Sequence, residues 1–140
     1  MGLDITARIR SKENLDTELQ YIDENWLLVE NGAIEMKEYI ANYPKIEKIE
    51  IDPDQYSIRN FWGLRKFMDN EMFLTVGEDR MAFALTLAEV QLLKLAARAR
   101  AIPNIDKYSY EAKCDMVAEI CEIAQKSMNY SDMLEFVFSA

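Results

Sequence analysis

The chain has 140 residues, half of them hydrophobic, with 16 lysines and arginines against 25 acidic side chains and no histidine. That length suits one domain able to bury roughly two-thirds of the surface its unfolded form exposes. A net charge of −9 argues against nucleic acid as a direct ligand, and the missing histidine removes the commonest general base, the commonest metal ligand and every Ser-His or Cys-His nucleophile.

Leu3, Ile5, Ala7 and Ile9 alternate with Asp4, Thr6, Arg8 and Arg10, which predicts an opening strand with one buried face. Over 16–30, Leu19, Ile22, Trp26 and Val29 recur at helical steps, and Asn31-Gly32 supplies a stop. The same Asn-Gly between apolar runs is also a hairpin signal. Trp26-Leu27-Leu28-Val29 does not alternate, so a helix ranks ahead of a hairpin over 26–36, with both left open. Ile34, Lys37, Tyr39 and Ile40 continue a short helix that Tyr43-Pro44 ends.

Ile49 and Ile51 mark a brief strand, Asp52-Pro53-Asp54 a turn, and 56–70 an aromatic helix carrying Ile58, Phe61, Trp62, Leu64, Phe67 and Met68. The runs 73–76 and 81–85 flank the polar Gly77-Glu78-Asp79-Arg80 as a hairpin. Thr86 and Glu89 form a capping box. It opens a helix over 87–101 whose largely apolar circumference predicts the central buried helix. Arg98 and Arg100 suit the negative end of its dipole.

A further amphipathic helix over 110–128 aligns Cys114, Val117, Cys121, Ala124 and Met128, and Leu134, Phe136 and Phe138 alternate as a terminal strand placed to pair with the first. The expectation is a single domain over 1–140, of α+β class: a small mixed or antiparallel sheet packed against four or five helices around a single core.

Cys114 and Cys121 stand two helical turns apart, about 10 Å, too far for a disulfide. They read as small buried hydrophobes in a reducing compartment. Charges interrupt every apolar run before it is long enough to cross a bilayer, and the opening lacks the basic and apolar regions of a signal peptide. A cytoplasmic location without a membrane partner is expected.

There is no glycine-rich phosphate loop, no dinucleotide fingerprint and no Cys-x-x-Cys pair. The carboxylate sets Asp52 with Asp54, Glu78 with Asp79, and Asp115, Glu119 and Glu122 read as turn, cap and solvated-face residues. No catalytic residue, metal ligand or cofactor is therefore expected, and the chain reads as a non-enzymatic binding module.

The charge is uneven. Residues 1–55 carry 13 acids against 6 bases, residues 56–100 carry 5 against 7, and residues 101–140 carry 7 against 3. Asp16, Glu18, Asp23, Glu24, Glu30, Glu35 and Glu38 are the candidate contacts with a basic surface on a partner protein, although solubility alone explains the same charge. An alternative is a small-ligand or nucleotide site at Arg59, Trp62 and Arg65, where core packing explains the same aromatics. A third possibility is a structural homo-oligomer built through strand edges.

Met1-Gly2-Leu3-Asp4-Ile5-Thr6-Ala7, the Asn25-Trp26 helix, the helix over 86–101 and the final Glu135-Phe136-Val137-Phe138 strand resemble a group of small phage and prophage proteins, largely without assigned functions, that begin Met-Gly-Leu-Asp. The chain departs from that group in ending Ser139-Ala140 rather than Ser-Ser-Trp. The resemblance implies a phage-encoded accessory protein acting in the host cytoplasm as an inhibitor of a nucleic-acid-handling or defence complex, in the manner of an anti-CRISPR protein. It carries over no functional residue.

Overall fold

A computed structural model describes residues 2–76 and 81–140. In chain order the elements are β1 (Asp4–Ser11), α1 (Lys12–Glu30), α2 (Met36–Ala41), β2 (Ile49–Ile51), β3 (Ile58–Arg59), α3 (Trp62–Asn70), β4 (Leu74–Val76), β5 (Ala82–Leu85), α4 (Leu87–Arg98), α5 (Tyr110–Ser127) and β6 (Asp132–Ser139). The fold is α+β, with one antiparallel sheet in the order β2-β1-β6-β5-β4 and β3 also paired to β1.

The first and last strands pair along their full length at the centre of the sheet, from Asp4 opposite Ser139 to Ser11 opposite Asp132. Because strand side chains alternate between faces, Leu3, Ile5, Ala7 and Ile9 share one face with Leu134, Phe136 and Phe138. α3, α4 and α5 cover that face in the principal core. Phe83 and Phe138 meet edge to face there, with ring centroids 5.7 Å apart. On the opposite face Val76, Ala82, Ala84 and Met133 pack with Leu15 of α1 in a smaller cluster.

Helix α1 begins earlier than the apolar period announces. Ser11 ends β1 and also caps the helix, its Oγ accepting the Asn14 N–H at 3.1 Å. Lys12, Glu13 and Asn14 are polar and so stand outside the apolar pattern. Over 26–36 the structure is helical to Glu30, and Gly32 takes the left-handed φ of +80° that turns the chain toward α2. The hairpin alternative is excluded.

Two expectations are corrected. The helix predicted over 56–70 starts only at Trp62. Ile58 instead pairs with Ile5 of β1, and Asn60 adopts a left-handed φ of 56° while donating its N–H to the Leu3 carbonyl at 2.7 Å. Helix α4 is not the central buried helix. It buries Val90, Leu93 and Ala97 but leaves Leu92 and Leu95 exposed. Its Thr86–Glu89 capping box forms as predicted, and the polar turn expected at 77–80 lies outside the described residues.

Cys114 and Cys121 are both free and fully buried. Burial pushes the Cys121 thiol up to about 12. In the unfolded chain that thiol ionises near its ordinary value, so between about pH 9 and pH 12 only the unfolded state loses the proton and stability falls as pH rises, by up to about 1.4 kcal/mol per pH unit. Urea unfolding across that window should show the decline, and Cys121→Ala should make it shallower. An unchanged slope in the variant would place the alkaline sensitivity elsewhere.

Candidate functional site

Two arginines on the α1 face of β1 organise one side of the molecule. Arg10 is buried with Glu18 and Glu135, and its Nη1 donates to Glu18 Oε1 at 2.7 Å and to Glu135 Oε2 at 2.9 Å. Arg8 donates from Nε to Glu135 Oε1 at 2.8 Å. The Tyr43 hydroxyl donates to Glu18 Oε2 at 2.6 Å, and Arg10 Nη2 donates to Asn14 Oδ1 at 2.8 Å. Two cations and two anions thus neutralise one another where an unpaired charge would be very costly. Among the described residues no buried side-chain nitrogen or oxygen lacks a hydrogen-bond partner.

This network corrects one sequence candidate. Glu18 is buried inside it and does not belong to the outer acidic face. The signal was present in the helical spacing: Glu18 lies three residues after Leu15 and four before Ile22, on the stripe that turns inward.

The other six acids, Asp16, Asp23, Glu24, Glu30, Glu35 and Glu38, are exposed. They belong to a helical pair with its own aromatic packing. The Tyr39 ring lies 5.2 Å from Tyr21 and 5.6 Å from Trp26 between ring centroids, and the Tyr21 hydroxyl donates to the Tyr39 carbonyl at 2.7 Å. With those rings turned between the helices, Leu27, Leu28, Met36 and Ile40 are left exposed.

On the α3–α5 side of the sheet, a pocket of about 420 Å³ is lined by Arg59, Asn60, Ile105, Asp106, Lys107, Tyr108, Ser109 and Lys113. Its floor is held from several directions. The Asp106 carboxylate accepts the Trp62 N–H at 3.0 Å and the Gly63 N–H at 2.9 Å, capping α3 from a distant loop. Gly63 is required there, because a Cβ would stand 2.0 Å from the Pro103 carbonyl oxygen. Asn60 accepts the Leu3 N–H at 2.8 Å through Oδ1, and Lys113 Nζ donates to the Asn60 carbonyl at 2.8 Å.

The predicted trio of Arg59, Trp62 and Arg65 is only partly brought together. Arg59 lines the pocket, and Trp62 adjoins it through the backbone bond to Asp106. Arg65 lies elsewhere, its guanidinium 5.5 Å from the Phe83 ring centroid and 5.8 Å from that of Phe138. Lys107, Tyr108 and Lys113 were not among the sequence candidates, since they stand more than forty residues from Arg59 and no local pattern joins them.

A larger cleft of about 520 Å³ opens on the α1 side beside Val76, Ala82 and Val137. Arg8, the cation in its described lining, is already ion-paired to Glu135 at 2.7 Å. The acids on α5 meet arginines at the end of α4: Glu122 bonds Arg98, and Asp115 lies 2.9 Å from Arg100. Asp52 serves its own turn, accepting the Asp54 N–H at 3.0 Å. Glu78 and Asp79 lie outside the described residues. Among the described residues no group of three or more His, Cys, Asp or Glu side chains is placed to hold a metal ion, and no helix is long and apolar enough to cross a membrane.

Removing Glu135 alone, as Glu135→Leu, takes from Arg8 and Arg10 the carboxylate they share, leaving Arg10 with Glu18 and Asn14, and is expected to destabilise the fold by about 3–5 kcal/mol. Gly63→Ala should cost about 1–3 kcal/mol through the forced shift against Pro103, whereas Asp16→Asn should stay within about 0.5 kcal/mol. Urea unfolding checks all three, and a silent Glu135→Leu would show that the network contributes nothing to stability. No protein-family model, curated protein or solved structure matches the chain.

Proposed function

We propose that the chain is a non-enzymatic protein-binding module that docks, through the outer faces of α1 and α2, on a partner surface that is basic around an apolar centre. The observation that carries this is the setting of Leu27 and Ile40. Their exposures are 66% and 65%, and they stand in a segment, 13–43, that has eight acids and a single base, Lys37. Leu27 follows Asp23 by four residues and Glu24 by three, and precedes Glu30 by three, so carboxylates neighbour it along the helix surface. Met36 and Ile40, four apart on α2, present a second apolar pair beside Glu35 and Glu38.

An apolar centre with a charged rim is the usual anatomy of a protein interface. The rim steers a cationic partner and discriminates against acidic ones. Among proteins, surfaces that handle nucleic acid combine such positive charge with accessible apolar groups. Inhibition by occupying such a surface is the reading that the phage-like opening of the chain supports, with Asp16, Asp23, Glu24, Glu30, Glu35 and Glu38 as the contacts.

The test is affinity capture from bacterial lysate with wild type, a charge variant (Asp23→Lys, Glu24→Lys, Glu30→Lys) and an apolar variant (Leu27→Ser, Ile40→Ser), each at low and moderate salt. A nucleic-acid-handling protein retained by wild type should be lost with either variant and weakened by salt. The stability of the variants should remain within about 0.5 kcal/mol per substitution, since these positions are exposed, with up to about 1 kcal/mol for Glu30→Lys, which gives up the bond from the Trp26 indole N–H. Capture that is indifferent to both variants would overturn the proposal.

A further inference from the structure

We propose that the pocket formed by Arg59, Asn60, the 105–109 loop and Lys113 binds a small organic phosphate, a nucleoside monophosphate being the class that its size and lining fit. This second site lies apart from the acidic docking face and does not depend on it.

Three cations from separate segments converge on one pocket in a chain whose net charge is −9. Each has donors to spare. Lys107 is exposed and has no ion-pair partner among the described residues. Lys113 spends one bond on the Asn60 carbonyl, leaving two of its three donors. Arg59 lies 3.7 Å from Asp4, with both side chains mostly exposed, an arrangement that water screens and a phosphate readily displaces. Asp106, the one carboxylate among the described lining residues, has both oxygens engaged by the Trp62 and Gly63 N–H groups, so its acceptors are turned to the start of α3.

The lining also selects for more than an inorganic anion. Tyr108 is 77% exposed and Ile105 is exposed beside it, giving an aromatic face and an aliphatic surface next to the cations. Such a platform stacks a nucleobase. A volume of about 420 Å³ falls in the range of small-molecule sites and exceeds what a phosphate group alone fills. The frame is held in place before any ligand arrives, by Asn60 bonded to Leu3 in both directions and by Asp106 on α3, as tight binding requires.

Arg59, Lys107 and Lys113 are assigned to the phosphate and Tyr108 to the base. The experiment is an amide-resolved NMR titration of the whole chain at low salt with adenosine monophosphate, orthophosphate, adenosine and a short single-stranded oligonucleotide. The expected result is saturable shifts confined to 59–60 and 105–113, with the mononucleotide binding more tightly than orthophosphate or adenosine. Lys107→Glu should weaken the mononucleotide about tenfold, and Tyr108→Ser should reduce its affinity to that of orthophosphate while leaving orthophosphate unchanged. Both positions are exposed. Should Lys107→Glu perturb the spectrum beyond the loop, Lys107→Gln takes its place. Absence of saturable shifts, shifts scattered over the surface, or indifference to the Lys107 variant overturns the site. An oligonucleotide that binds more tightly per phosphate than the mononucleotide overturns the small-ligand assignment in favour of a nucleic-acid contact.

Discussion

Arg10 sits between Glu18 and Glu135 with almost none of its surface in water, and the placement of the acidic helices depends on how its charge is met. The guanidinium draws one carboxylate from the last strand and one from the first helix. Tyr43 and Asn14 then bind the segment that follows α2, the former through Glu18 and the latter through the Lys45 carbonyl. The network also opposes register slip. Arg8 faces Glu135 directly across the β1–β6 ladder, and a shift of one residue would set Leu134 or Phe136 on that face and remove the carboxylate from both arginines.

Because α1 is held by this network on one face of the sheet while α5 packs on the other, the acidic helical pair and the cationic pocket lie on opposite sides of the sheet. The acids of α1 and α2 lie on one side, and the cations around the 105–109 loop lie on the side of α3 and α5. Glu111, Asp115, Glu119 and Glu122 share α5 with Lys113, so positive charge on that side is concentrated at the pocket and does not extend over the whole surface.

The cationic pocket owes its shape to close backbone approaches. A glycine at 63 lets the loop after Pro103 lie against α3, and left-handed residues at Asn60 and Ser109 turn the chain at two of its walls. Asp106 then serves α3 from a position 44 residues away in sequence. One carboxylate thereby fixes the loop that carries Lys107 and Tyr108, with both of its oxygens turned to backbone N–H groups of α3.

Local periodicity was enough to read the opening strand, the α4 capping box, the α5 stripe and the alternation of the last strand, because each depends on residues within one or two turns of one another. The α+β class and the pairing of the two end strands followed from those patterns. What periodicity left out was long-range. The two-residue strand at Ile58 exists only because Ile5 lies opposite. Leu92 and Leu95 are exposed because α4 packs against α5, β5 and β6 and its outer face is left uncovered among the described residues. Glu18 and Asp16 look alike as acidic residues, and the arginine that buries one of them comes from a strand whose polar face had no reason in sequence to be covered. Arg59, Lys107 and Lys113 become neighbours through the packing of β3, a loop and α5. Residue patterns determine which surfaces a segment must hide, but only the assembled chain decides which charges meet, since Coulombic partners are set by distance in space and not along the chain.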